Sequence, residues 1–90
     1  MRFEWDSRKA KSNAKKHWTT FEEAATVFGD PLALTFEDPD HSAEEERFLT
    51  FGISGSGKFI VVSHTPRNSN ERIISARPMT ASERGIYEQG

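Results

Sequence analysis

The first apolar pattern along the chain has the spacing of a helix. Ala10, Ala14 and His17 stand at positions i, i+4 and i+7, and Asp6 precedes them with a carboxylate that can cap a helix start. The pattern therefore predicts a helix that begins after Asp6 and ends at about His17. Because Ala10 and Ala14 are small, we expect this helix to pack closely against a flat surface such as a sheet.

A second helix is predicted shortly after the first. Thr20 and Glu23 have the spacing of a capping box, in which the hydroxyl accepts from one free amide and the glutamate reaches back to the cap residue. Apolar residues then recur at helical spacing, namely Phe21, Ala24, Ala25 and Phe28. Gly29 and Pro31 are typical of the end of a helix.

After Pro31 the pattern changes to that of short strands. Runs of apolar and β-branched residues, separated by turn residues, occupy positions 32–36, 47–53, 59–65 and 72–77. We expect residues 54–57 to form a hairpin connection and residues 66–70 to form another turn, and residues 3–5 can add a strand at the start. Alternation in the last strand places Arg72 and Ala76 on one face, and Ile73 and Arg77 on the other.

The C-terminal residues predict one more helix. Thr80 and Glu83 repeat the capping-box spacing, with Ile86 and Tyr87 on one side of the helix that follows. Segregated helices and strands of this kind make an α+β fold. We therefore expect residues 1–90 to form one domain with an antiparallel sheet of three to five strands, two N-terminal helices and one C-terminal helix.

Composition restricts the class of protein further. The chain of 90 residues contains no cysteine, which excludes disulfides, thiolate metal ligands and cysteine nucleophiles. Its mean hydropathy is −0.70, and no apolar run approaches the roughly 20 residues of a membrane span. The N-terminus lacks the apolar region of a signal peptide. These features predict a soluble protein of the cytoplasm with no membrane partner.

Charge is unevenly distributed although the net charge is only −2. Five basic residues and no acidic residue lie between positions 8 and 16, whereas six acidic residues and no basic residue lie between positions 37 and 46. Positions 47–84 then carry six Lys or Arg residues against two glutamates. Two basic segments around one acidic segment are compatible with a local phosphate-binding surface.

Four side chains interrupt the apolar pattern at strand ends or in a turn, namely His64, Arg67, Arg72 and Arg77. A guanidinium group donates two parallel hydrogen bonds and stays charged, which suits it to phosphate. The alternative for each arginine is ion pairing with surface glutamates, namely Glu44, Glu45, Glu46 or Glu71.

The three histidines can transfer protons near neutral pH. His17 ends the first helix, where it can act in catalysis or interact favourably with the helix dipole. His41 lies in the acidic loop, where we expect it to be solvated, and His64 is the better acid–base candidate. No pair of histidines has the spacing of a helical metal site, so we expect no bound metal.

Two further side chains each have two interpretations. Glu46, beside Arg47 at a strand start, can act as a base or orient a basic group, or it can belong to a solvated acidic face. Trp18 can stack on a nucleotide base, or it can pack at the helix end.

One combination of residues spans nearly the whole chain, from position 3 to position 87. Its first half consists of Phe3, Glu4, Trp5, Asp6, Lys9, Asn13, Lys16, His17, Phe21, Glu22, Glu23, Ala24, Val27 and Phe28. Its second half consists of Glu45, Glu46, Arg47, Phe51, Gly52, Arg67, residues 72–77, Glu83, Arg84 and Tyr87. This combination resembles the BrnT family of toxins, which belong to type II toxin–antitoxin modules.

The resemblance implies a RelE-like fold and cleavage of RNA, without a metal or other cofactor, that arrests translation. It also implies neutralisation by a BrnA antitoxin with a DNA-binding domain. The complex would repress its own operon, so this chain would meet DNA only indirectly. A heterotetramer of toxin and antitoxin is one assembly that the resemblance allows.

Together, the residues and the resemblance imply a catalytic set of His17, Glu46, Arg47, His64, Arg67, Arg72 and Arg77. The implied RNA contacts are Lys9, Lys16, Trp18 and Tyr87. The chain departs from the family at Trp18, where glycine is usual, and at His64, where tyrosine is common. The alternative function is a non-catalytic protein-binding module, a degenerate toxin that acts in an antitoxin complex.

Overall fold

The computed structural model describes residues 1–40 and 45–90, so His41 and Glu44 lie outside the described residues. The helices within these ranges are α1 at Ser7–His17, α2 at Phe21–Thr26 and α3 at Ala81–Gln89, and a 3-10 turn at Val27–Gly29 follows α2. The strands are β1 at Phe3–Glu4, β2 at Leu34–Glu37, β3 at Phe48–Ile53, β4 at Phe59–Arg67 and β5 at Asn70–Pro78.

In the described part of the chain, the five strands form one sheet in the order β1-β5-β4-β3-β2. Strands β2 to β5 pair antiparallel with one another, but β1 runs parallel to β5, so the sheet is mixed and the predicted antiparallel pairing is wrong at this edge. A hairpin imposes antiparallel pairing, whereas β1 and β5 are joined through the rest of the chain and have no such constraint. The predicted α+β class is confirmed.

Helices cover both faces of this sheet. The helical apolar positions Phe21, Ala24 and Val27 are fully buried against the sheet, together with Ile60, Val62, Ile73 and Ala76. Gly52 of β3 has no side chain, and this allows the 3-10 turn to approach the strand closely. A Cβ at position 52 would lie 2.7 Å from Val27 Cγ1. On the opposite face, Tyr87 of α3 packs with Phe51 and Val61.

A β-bulge changes which residues of β5 share a face. Ser63 pairs with Ser75 and His64 pairs with Ile73, so Ile74 is an extra residue in β5. As a result Ile73 and Ala76 both reach the core beneath α1 and α2, although simple alternation predicts opposite faces. The predicted face assignment is therefore wrong. Arg72 and Arg77 both lie on the face that α3 covers in part.

The predicted caps are present at all three helix starts. The Asp6 carboxylate accepts from the Arg8 and Lys9 amides at 2.9 and 3.1 Å, and Thr80 with Glu83 forms a complete capping box. Thr20 caps α2 by accepting from the Glu23 amide at 3.1 Å. The Glu23 carboxylate does not complete that capping box, because it accepts from Ser54 Oγ and Ser56 Oγ of the β3–β4 hairpin.

The turn between β4 and β5 is shorter than the predicted residues 66–70. It consists of Asn68 and Ser69, and Asn68 has a φ of 54°, a left-handed conformation that asparagine tolerates. Strand β3 ends opposite His64, so β4 has no β3 partner at Pro66. Pro66, which has no amide hydrogen to donate, is therefore accommodated inside β4.

Candidate functional site

The guanidinium of Arg77 is held by a carboxylate of α3. Its Nη1 and Nη2 atoms donate to Glu83 Oε1 and Oε2 at 2.7 and 2.8 Å, which is the parallel geometry that arginine also uses for phosphate. Hydrogen bonding from Arg77 lowers the pKa of Glu83 to about 2, and the same bonds raise the pKa of Arg77. Glu83 therefore compensates the charge of Arg77 and occupies two of the five N–H donors that a phosphate could use.

Two other predicted arginines are also in ion pairs. Arg72 donates to Glu4 at 2.9 Å, and Arg47 donates to Glu45 at 2.9 Å. Hydrogen bonds from Asn70 and then Arg72 lower the pKa of Glu4, and the positive charges of Arg72 and Arg67 contribute further. Arg67 itself is exposed at the end of β4.

His64 is enclosed by the sheet and the 3-10 turn, with 5% of its surface exposed. Its Nδ1 atom lies 2.5 Å from Glu71 Oε2, and its Nε2 atom lies 2.6 Å from Thr50 Oγ1. The Thr50 hydroxyl continues to Thr35 at 2.8 Å, and Phe28 packs edge-on against the imidazole. These four polar groups form one hydrogen-bonded chain, and its imidazole does not face open solvent.

Tyr87 and Glu46 lie apart from the groups described so far. The Tyr87 hydroxyl donates to Asp30 at 2.6 Å, and this hydrogen bond raises the pKa of the buried phenol to about 12. Asp30 also accepts from the Ile53 amide at 2.9 Å, so the two side chains tie α3 to β3. The Glu46 side chain is exposed, while its backbone carbonyl accepts from Thr65 Oγ1.

The basic side chains of α1 differ from Arg47, Arg72 and Arg77 because they are exposed and have no ion-pair partner among the described residues. This basic row consists of Arg8, Lys9, Lys11, Lys15 and Lys16. Among residues 1–40 and 45–90, no carboxylate forms an ion pair with any of them. Lys15, Lys16 and His17 occupy the last turn, where the helix dipole favours positive charge. The row therefore presents uncompensated positive charge to solvent.

A groove of about 210 Å³ separates part of this row from β5, and we call it the α1 groove. Its walls are formed by Lys9, Ser12, Asn13, Lys16, His17, Ile74 and Ser75. Three predicted site residues meet here, because Lys9 and Lys16 stand seven positions apart on one helix face and His17 follows directly. The bulge residue Ile74 forms part of the opposite wall.

Asn13 fixes the position of the α1 groove, and the sequence analysis gave it no role in the site. Its Nδ2 donates to the Ala76 carbonyl at 2.7 Å and to the Thr19 carbonyl at 2.9 Å, and its Oδ1 accepts from the Ala76 amide at 3.1 Å. The sequence feature that could have indicated this role is a polar residue on the same helix face as Ala10 and Ala14. These bonds dock α1 on β5.

Trp18 follows α1 directly and lines a second groove. Its backbone has φ 57° and ψ 31°, and 87% of its surface is exposed. This groove has a volume of about 320 Å³ and is lined by His17, Trp18, Thr19, Lys58, Phe59, Ile60 and Pro78. We call it the Trp18 groove, and it adjoins the α1 groove because His17 lines both.

The family model of BrnT, the ribonuclease toxin of type II toxin–antitoxin systems, matches residues 5–83 of this chain. The chain belongs to the BrnT family. Membership of this ribonuclease toxin family implies an RNA target and an antitoxin partner. The resemblance that the sequence motifs indicate is thereby confirmed.

A solved structure shows the same fold. The chain is similar to the crystal structure of the ribonuclease toxin BrnT of Brucella abortus, with a TM-score of 0.70 and 24% sequence identity. The match covers 89% of this chain and 97% of that chain. A comparison with proteins of curated function finds no match.

Two kinds of feature are absent from the described residues. None of the helices in ranges 1–40 and 45–90 is long and apolar enough to cross a membrane. In the same ranges, no group of three or more His, Asp or Glu side chains is placed to hold a metal ion.

Proposed function

We propose that this member of the BrnT family is an endoribonuclease that needs no metal ion, arrests translation in the cytoplasm and is neutralised by a BrnA-like antitoxin. The match to the family model over residues 5–83 carries the proposal. The basic row of α1 supports it, since the row is exposed and forms no ion pair within the described residues. RNA is a polyanion, and its affinity for proteins depends mainly on phosphate contacts.

The α1 groove has the chemistry that this reaction needs. Attack of a ribose 2′-hydroxyl on the adjacent phosphate requires removal of one proton, stabilisation of added negative charge and return of a proton to the leaving oxygen. We assign the charge stabilisation to Lys9 and Lys16 and the proton transfer to His17. General acid–base groups accelerate reactions about 10²- to 10⁴-fold, and preorganised charges contribute about 10²- to 10³-fold each.

The strand-end residues form a second proposed set, which consists of Glu46, Arg47, His64, Arg67, Arg72 and Arg77. In this set Glu4 and Glu83 already compensate the charges of Arg72 and Arg77, which weakens their attraction for a phosphate. Tyr87 contacts RNA only if its bond to Asp30 opens. Lys9 and Lys16 of the α1 groove have no ion-pair partner among the described residues, so we place the phosphate there first.

The first prediction concerns charge in the α1 groove. We expect the double variant Lys9→Ala/Lys16→Ala to cleave labelled single-stranded RNA at least about 10²-fold more slowly than the unmodified chain in EDTA, because both groove cations are lost. The matched control is Lys11→Ala/Lys15→Ala, which removes the same charge from the same helix outside the α1 groove. We expect the control to lose less than about tenfold, through weaker general attraction alone.

Further variants in the same assay separate the two proposed sets. His17→Ala should lose about 10²-fold or more if its imidazole transfers the proton. Arg77→Ala tests the strand-end set in the same way, with circular dichroism to verify its fold. Equal rates for the two double lysine variants would contradict the α1 groove as the site.

One observation favours the alternative of a non-catalytic binding module. Arg47, Arg72 and Arg77 are all held by carboxylates, and His64 is buried. Under that alternative the purified chain would bind its antitoxin but cleave no RNA. If the chain is an enzyme, the unmodified chain should stop cell growth when it is expressed alone, and co-expression of the neighbouring antitoxin gene should relieve the arrest. Cells should tolerate expression of the Lys9→Ala/Lys16→Ala variant.

A further inference from the structure

The indole of Trp18 is exposed at a position where folding gives it no evident role. Its left-handed backbone ends α1, and this is a conformation that glycine adopts without the steric cost that a side chain brings. Burial of the side chain does not offset this steric cost, since 87% of the residue surface is exposed to solvent. A large aromatic residue held in strain and in solvent suggests a binding role.

The surroundings of Trp18 carry positive charge. Lys15 and Lys16 precede it in the unpaired basic row, and Lys58 lines the Trp18 groove with its side chain 58% exposed. Glu23 lies 3.5 Å from Lys58 and compensates that one cation, whereas Lys15 and Lys16 have no ion-pair partner among the described residues. An exposed aromatic ring beside basic side chains is typical of surfaces that bind single-stranded nucleic acid.

We propose that Trp18 stacks on an unpaired base of RNA whose phosphate lies in the α1 groove. The two grooves share His17 as a wall, so one strand can occupy both, with a phosphate beside Lys16 and a base on the indole. This inference rests on the proposed function for the RNA target. It goes further because it specifies a single-stranded substrate, since paired bases have no free face.

The test measures binding without cleavage. The probes are a fluorescein-labelled 2′-O-methyl oligonucleotide of ten nucleotides, which lacks the attacking hydroxyl, and the duplex of the same sequence. We expect Trp18→Gly to raise the Kd for the single strand about 5- to 100-fold, and to change the Kd for the duplex less than about twofold. Trp18→Gly suits the left-handed backbone, so loss of binding would not reflect loss of fold.

Two further measurements test whether the aromatic face of Trp18 contacts the base. Trp18→Phe keeps an aromatic face and should restore binding to within a few-fold of the unmodified chain. In a Trp5→Phe background, where Trp18 is the one remaining tryptophan, the single strand should quench the indole fluorescence and the duplex should not.

Three results would overturn the proposal. One is an unchanged Kd for the single strand in Trp18→Gly, and another is an equal loss for single strand and duplex. The third is a loss of antitoxin binding without loss of oligonucleotide binding, which would make Trp18 a protein contact. Cleavage assays run in parallel distinguish the two proposals, because Trp18-dependent binding without cleavage contradicts only the catalytic one.

Discussion

The side chain of Asn13 occupies an edge of β5 where no strand of the described chain pairs beyond Arg72. Its amide group bonds both the N–H and the C=O of Ala76, as a neighbouring strand would. An open edge of this kind is prone to pairing with other chains. Asn13 therefore serves two purposes, because it satisfies β5 and sets the distance between α1 and the groove wall.

The stability of the chain should depend strongly on this one amide. We expect Asn13→Ala to lower the free energy of unfolding by about 2–4 kcal/mol, since three hydrogen bonds are lost and buried backbone groups are left unpaired. Urea denaturation measures this value. Ser12→Ala, on the neighbouring exposed position, is the control and should cost less than about 0.5 kcal/mol. A loss below about 1 kcal/mol for Asn13→Ala would show that α1 docks by other means.

At the scale of elements, α3 is held to the sheet by polar contacts at both of its ends. Arg77 of β5 bonds Glu83 in the first turn, and Asp30 bonds Tyr87 in the last. The Tyr87 ring also packs against Phe59, with ring centroids 5.9 Å apart. The attachment of α3 is therefore sensitive to pH at the acid end through Glu83 and at the alkaline end through Tyr87.

The acid side of this dependence can be tested with Glu83. Its pKa is about 2 in the folded chain against an ordinary value of 4.5, so its contribution to stability is present above pH 4.5 and is lost as the pH falls toward 2. We expect Glu83→Gln to be less stable at neutral pH and to lose less stability between those pH values. Unfolding free energies measured across this range provide the test.

Glu88→Gln is the control for that measurement, because Glu88 is exposed on the same helix and lies 3.8 Å from Arg84. Its pH profile should follow that of the unmodified chain. A profile for Glu83→Gln that also follows the unmodified chain would show that the Arg77 pair does not hold α3.

At the scale of the whole molecule, the sequence predicted elements better than contacts between them. The caps at Asp6, Thr20 and Thr80 depend on neighbouring residues, so local spacing was sufficient to place the helix starts. The ion pairs of Arg72 and Arg77 could not be assigned, because Glu4 comes from the other end of the chain and Glu83 from a separate helix.

In the candidate site too, local spacing predicted which residues of one element lie together but not which residues of other elements surround them. Lys9, Lys16 and His17 lie on one helix, and the periodicity of that helix brings them together. His64 stands at a strand position that looked open, but Glu71 and Thr50 come from different strands and enclose it. Pattern alone carries no information about such burial, which depends on strand register and on the bulge.

The extra residue in β5 has a consequence for the evolution of chain length in this family. Removal of Ile74 would leave every neighbouring pair intact, with Ser63 opposite Ser75 and His64 opposite Ile73. We therefore expect alignments of relatives to tolerate a one-residue gap here, in chains that keep the fold. A deletion of Ile74 should preserve the circular dichroism spectrum but remove part of the α1 groove wall and slow RNA cleavage, so chain length at this position would affect activity separately from folding.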